Sequence, residues 1–94
     1  MKLSILIPVY QENCIKLVSD LVNQTKRLSI DSEILVFDDC SPIKCEDNRT
    51  LSDMERVTYR ELEQNIGRSK IRNLLAAAAG GDGEIFLYGD RGIV

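Results

Sequence analysis

Short, nearly continuous apolar runs alternate with stretches of helical periodicity along the chain, and this alternation restricts the fold more than any other feature. Residues 3–8 are apolar at every position but Ser4, the pattern of a strand buried on both faces. Residues 14–28 place Cys14, Val18, Leu21, Val22 and Leu28 on one helical stripe, with Leu17 beside it. Residues 33–37 form a second apolar run, ending in Asp38-Asp39-Cys40-Ser41-Pro42. Residues 43–54 are polar and read as mostly loop, with a short helix near their end. Residues 56–61 alternate Val57, Tyr59 and Glu61 with Arg56, Thr58 and Arg60, the mark of a more exposed strand. A helix is predicted over 66–79, capped by Asn65, with Ile71, Leu74, Leu75 and Ala78 as its apolar stripe. Gly80-Gly81 ends it, residues 84–88 form the last strand, and 89–94 are a tail.

The predicted order is β-α-β-(α)-β-α-β. It implies an α/β fold: a three-layer sandwich with a short, mostly parallel, Rossmann-like sheet. With 94 residues there is room for one domain, 1–94. In open sheets of this kind the ligand crevice lies at the carboxyl ends of the strands. The residues to read for chemistry are therefore 9–12, 38–41, 62–67 and 89–90.

Composition removes several classes of function. Hydrophobic residues at 44% and charged residues at 29% suit a soluble globular domain. A net charge of -3 gives no basic footprint, so a nucleic-acid polymer is not an expected partner. The absence of histidine excludes Ser-His-Asp and Cys-His catalysis within the chain and removes the commonest zinc ligand. Cys14, Cys40 and Cys45 are odd in number and fit neither a zinc nor a CxxC pattern, so they are expected to be reduced thiols in the cytoplasm. The apolar runs at 3–9 and 74–79 fall far short of the about 20 residues a membrane span needs. The first is broken at Pro8 and reads as a strand, not as a secretion signal.

Each candidate site residue carries two readings. Adjacent carboxylates such as Asp38 and Asp39 are least costly where donors face them, so they could accept from a nucleobase or a ribose. Asp38 and Ser41 could equally fix the turn before Pro42. Asp90, after Gly89, could hold a divalent cation that bridges to a diphosphate, or simply make a turn. The helix start at Asn65-Ile66-Gly67-Arg68 suits an anion, with Arg68, Lys70 and Arg72 adding positive charge, or it is a plain capped helix.

The joint order of these elements is more specific than any one of them. Residues 4–12 (SILIPVYQE), 21–25 (LVNQT), 33–41 (EILVFDDCS), Asn65-Ile66-Gly67, Arg72-Asn73 and 85–90 (IFLYGD) together resemble a family 2 glycosyltransferase with the GT-A, nucleotide-diphospho-sugar transferase fold. The resemblance spans nearly the whole chain. It implies that Pro8, Tyr10 and Glu12 line a nucleotide pocket and that Asp38 and Asp39 belong to it, with Asp39 on the base, usually uracil. It places Arg72 near the diphosphate and gives Asp90 a Mn²⁺ or Mg²⁺ ion. Asn usually stands at Gln11. Tyr88 replaces the first acid of the family's Asp-x-Asp motif and Arg91 follows Asp90, so metal affinity is expected to be weak; a phenol is a poor ligand for a hard cation near neutral pH.

The implied function is that of a donor-binding half of a glycosyltransferase, truncated after the fourth strand. It would bind a nucleotide-sugar, such as a UDP-sugar, for an acceptor the sequence does not name. No catalytic residue is assignable, because the family's acceptor site and base lie in a C-terminal half. The implied location is the cytoplasm, or the inner face of a membrane in a longer parent. The competing reading is a non-catalytic interaction module that forms a homodimer through an exposed sheet edge. A phosphoacceptor receiver fits poorly, since its acidic pair follows strand one rather than strand two.

Overall fold

The computed structural model describes residues 2–42 and 46–86. Four strands form one sheet: β1 (Leu3–Val9), β2 (Ser32–Asp38), β3 (Val57–Glu61) and β4 (Gly83–Phe86). Two helices, α1 (Ile15–Arg27) and α2 (Gly67–Ala78), and a 3-10 segment (Glu46–Asp53) connect them. The strand order is β3-β2-β1-β4, and every pair is parallel rather than mostly so. β1 and β2 pair over seven residues, from Leu3 with Ser32 to Val9 with Asp38, so both strands end at one level. The chain steps outward from β1 to β3, then returns through α2 to the other side of β1. That reversal marks the carboxyl end of β1 as the topological switch point.

The near-continuous apolar runs are explained by burial on both faces. Because side chains alternate across a strand, Ile5, Ile7 and Val9 of β1 join Ile34 and Val36 of β2 on one face. Val18 of α1, Cys14 and Leu51 of the 3-10 segment pack there, all fully buried. Leu6, Leu35 and Phe37 face the other way and pack against Ile71 and Leu75 of α2. Each of those helix side chains contributes about 1.5–3 kcal/mol through burial. The result is the expected three layers.

Three expectations about the helices need correction. Leu28 was assigned to the buried stripe of α1, yet it is 65% exposed, because the helix ends at Arg27 and the chain turns away. Ala78 of the α2 stripe is exposed, and Ala79, one residue on, packs against the core instead. Asn65 does not cap α2; its amide donates to the carbonyl oxygen of Asp39 at 3.0 Å. The short helix expected near the end of residues 43–54 is present as a 3-10 helix, but it starts earlier and takes up more of the stretch, Glu46–Asp53, burying Asn48 and Leu51. No helix among the described residues is long and apolar enough to cross a membrane.

Candidate functional site

The pleat of β2 separates the two adjacent carboxylates. Ile34, Val36 and Asp38 point towards the α1 face, while Glu33, Leu35, Phe37 and Asp39 point towards the α2 face. Asp38 is buried and accepts from the Ser41 backbone N–H at 2.9 Å and from the Ser41 hydroxyl at 2.5 Å. The same hydroxyl oxygen accepts from the backbone N–H of Gln11 at 2.7 Å. Asp38 and Ser41 thus fix the turn after β2 and hold the loop after β1 beside it. Both loops carry a non-glycine residue in the left-handed region, Gln11 at φ 54° and Cys40 at φ 54°. Such a conformation costs roughly 1–2 kcal/mol, which the cross-loop hydrogen bonds offset.

Asp39 meets α2. One carboxylate oxygen accepts from the N–H of Ile66 at 2.8 Å and the other from the N–H of Gly67 at 3.0 Å. The residue at the helix N-cap, Ile66, makes no side-chain cap of its own. A carboxylate just past the end of β2 therefore satisfies unpaired donors at this helix start, where the helix dipole favours negative charge. The anion expected at the start of α2 is supplied by the protein itself.

Around this junction lies a cleft of about 380 Å³, lined by Pro8, Val9, Tyr10, Glu12, Asp39, Asn65, Gly67, Arg68 and Ile71. It opens at the carboxyl ends of β1 and β2, on the α2 side. Of the residues singled out from the sequence, Pro8, Tyr10, Glu12 and Asp39 come together here. Asp38 and Arg72 do not line it. Arg68, one turn earlier on α2 than Arg72, takes the place facing the cleft. Tyr88, Gly89, Asp90 and Arg91 lie outside the described residues, as does Cys45. Among the described residues no group of three or more His, Cys, Asp or Glu side chains could hold a metal ion.

Glycosyl transferase family 2 supplies a family model that matches residues 4–90. The chain belongs to this family. The match runs through all four strands and through every loop that builds the cleft, so this is a glycosyltransferase domain, and the family's donor is a nucleotide-sugar. No curated protein matches the chain.

Within that family frame, two further residues stand out. One is Arg68, which the sequence offers together with Lys70 and Arg72 as positive charge at the start of α2, and which alone of the three lines the cleft. The other is Asn48, buried at 1% exposure in the 3-10 segment, with its amide donating to the Glu12 carbonyl at 2.7 Å. A polar residue in a polar stretch gives no signal of burial, so Asn48 was not legible. A second cavity, of about 360 Å³, lies at the opposite end of the sheet, between the end of α1 and the starts of β2 and β3. It contains none of the candidate nucleotide- or metal-binding residues.

Proposed function

We propose that the cleft beside Asp39 is the nucleotide-sugar site of this family 2 domain, that the donor is a UDP-sugar, and that residues 1–94 form the donor-binding half of a longer transferase. The observation that carries this is the convergence of Pro8, Tyr10, Glu12 and Asp39 on one cleft at the topological switch point. Tyr10, 46% exposed, offers an aromatic face for a base. Asp39 is acceptor-only when ionised, with about four lone-pair sites. Two are used by Ile66 and Gly67. The remainder suit a base edge that presents an N–H, as uracil does at N3, and disfavour cytosine, which presents a lone pair there. Arg68 supplies a positive charge on the wall, suited to a phosphate.

For the diphosphate, Asp90 with Mn²⁺ or Mg²⁺ is the proposed partner. A single carboxylate plus phosphate oxygens is an ordinary set for either ion, and the ion would offset charge on the leaving diphosphate. Tyr88 adds no hard anionic ligand, so the ion is held mainly by Asp90 and the nucleotide. Acceptor binding and the base are assigned to residues outside 1–94, and transfer by this chain alone is expected to be very slow.

Isothermal titration tests the proposal. UDP with Mn²⁺ should bind at least tenfold more tightly than CDP, and Asp39→Ala should abolish that preference. Equal affinities for the two nucleotides would remove the base assignment, and no heat at millimolar UDP would remove the donor site. The second reading, self-association, draws on β4 being outermost on its side of the described sheet. A monomer in sedimentation at high concentration would dispose of it.

A further inference from the structure

We propose that Asn48 is a positioning residue for the cleft: a buried amide that sets the path of the loop carrying Glu12. The functional half of this inference rests on the donor-site reading above. Asn48 donates to the Glu12 carbonyl oxygen at 2.7 Å and accepts from the Cys14 backbone N–H at 3.0 Å. It therefore grips the backbone on both sides of Asn13. Asn13 itself spans the same junction, accepting from the Ile15 N–H at 3.0 Å and donating to Asp47 at 3.3 Å. Asparagine is rarely buried this completely, and its burial is tolerated because both ends of the amide are satisfied.

The chemistry of the grip is specific. It needs a donor and an acceptor on one short side-chain tip, which a primary amide supplies. A carboxylate would keep the bond to Cys14 but face the Glu12 carbonyl with a second acceptor. An apolar side chain would leave both backbone groups without this partner. Cys14 precedes α1 and makes no side-chain cap. Asn48 thus takes, from another part of the chain, the role that a glutamate plays in a capping box.

The base of the grip is itself fixed. Leu51, three residues on, is fully buried in the α1-side core. Arg49 makes a two-pronged ion pair with Glu61 at the end of β3, at 3.0 Å for both contacts. Glu61 in turn accepts from the Tyr59 hydroxyl at 2.9 Å. Consecutive residues Asn48 and Arg49 therefore tie the 3-10 segment to the β1 loop and to β3. The direction in which Glu12 enters the cleft is set from this bracket.

Two measurements test the inference separately from the donor-site reading. In the first, UDP affinity with Mn²⁺ is compared for wild type, Asn48→Asp, Glu12→Ala and the double variant. Asn48→Asp should weaken binding about tenfold, and should add nothing in the Glu12→Ala background. An equal loss in both backgrounds overturns positioning through Glu12. In the second, amide hydrogen exchange is followed without nucleotide. In Asn48→Ala the Cys14 amide should exchange at least tenfold faster, while the Leu6 amide in β1 keeps its protection. Unchanged Cys14 exchange in that folded variant overturns the grip itself, whatever the nucleotide does. If Asn48→Ala does not fold, Asn48→Asp serves: the Glu12 carbonyl carbon resonance should move while Cys14 stays protected, and an unmoved resonance overturns the inference.

Discussion

Two carboxylates, Glu33 near the start of β2 and Asp39 just past its end, hold opposite ends of the same helix, and they do so under opposite electrostatic conditions. Asp39 accepts from the N–H groups of Ile66 and Gly67 at the start of α2. Glu33 accepts from the N–H of Gly80, just past its end, at 2.6 Å. Negative charge is favoured at the first pole of a helix and disfavoured at the second. Glu33 accordingly gathers more partners: the Ser4 hydroxyl at 2.6 Å and the Lys2 ammonium at 3.9 Å. The Ser4 oxygen accepts in turn from the Gly81 N–H at 2.9 Å. Beside Gly81 there is no room even for a Cβ, and the nearest open space, a shallow hollow of about 320 Å³ along Lys2, Asp31 and Glu33, includes no residue of the helix. At the Asp39 end the same kind of contact borders an open cleft. One end of the helix is packed tightly at Gly81 and the other borders the cleft at the switch point, and the difference lies in what surrounds each carboxylate.

The sharpest way to break the closed end is Gly81→Ala. A Cβ there would sit 2.5 Å from the Ser4 hydroxyl oxygen and 2.7 Å from the Lys2 carbonyl oxygen. The chain must shift, and the expected loss is about 3 kcal/mol in urea unfolding. A loss under about 1 kcal/mol would show that this end is looser than the geometry implies. Next comes Asp39→Ala at the open end. It removes the cap of α2 and should cost about 2 kcal/mol, in addition to its effect on UDP binding. If stability is unchanged while binding is lost, Asp39 serves the ligand alone and the comparison between the two ends fails.

Glu33→Gln is expected to cost about 1 kcal/mol near neutral pH. Its pH dependence is more informative. The Ser4 hydroxyl, then the Gly80 N–H and the Lys2 charge, hold the Glu33 carboxyl below its ordinary value of 4.5, against the opposing effect of burial. A lowered folded-state pKa contributes stability that is present above the unfolded value and lost as the pH falls through the folded one. The Glu33 contribution should therefore be complete above about pH 5 and fade below it. In Glu33→Gln, thermal unfolding followed from pH 6 to pH 3 should show a shallower decline than in wild type. The smallest effect on stability is expected for Tyr10→Ala, within about 0.5 kcal/mol, since this side chain is largely exposed. Its UDP affinity should nevertheless fall severalfold, because base stacking on an aromatic face is worth about 1–3 kcal/mol. Unaltered affinity would remove Tyr10 from the base site.

The sequence carried the layers well. Alternation within 3–9 and 33–38 is what divides Ile5, Ile7 and Ile34 from Leu6, Leu35 and Phe37, so the two cores were readable from pattern alone. Strand ends followed from the same pattern, and with them the loops at 9–12 and 38–41, while the choice of Pro8, Tyr10, Glu12 and Asp39 came from the resemblance to the family. What pattern could not convey was partnership across space. The capping of α2 looked local, with Asn65 as the nearest suitable side chain, but the cap arrives from Asp39, 27 residues from Ile66. Asp38 and Asp39 look equivalent as neighbours, and only the pleat assigns one to a turn and the other to the cleft. Asn48 was hidden because a buried polar residue obeys no apolar period and is justified only by its partners.

β1 lies in the middle of the sheet although it comes first in the chain. It meets β2 early, but its other neighbour arrives late: Lys2 and Asp82, at the starts of the two strands, are 80 residues apart. Closing so long a loop is a slow step in folding, because its entropy cost falls due before the contacts that reward it. Until then one edge of the most apolar strand in the described sheet has no neighbour, a segment ready to join another chain's edge. The cleft itself needs only β1, β2 and α2, which pack together through Leu6, Leu35, Phe37, Ile71 and Leu75, so it can take shape before β4 docks. Slow refolding and sensitivity to protein concentration in dilution experiments are the kinetic signature this strand order leaves.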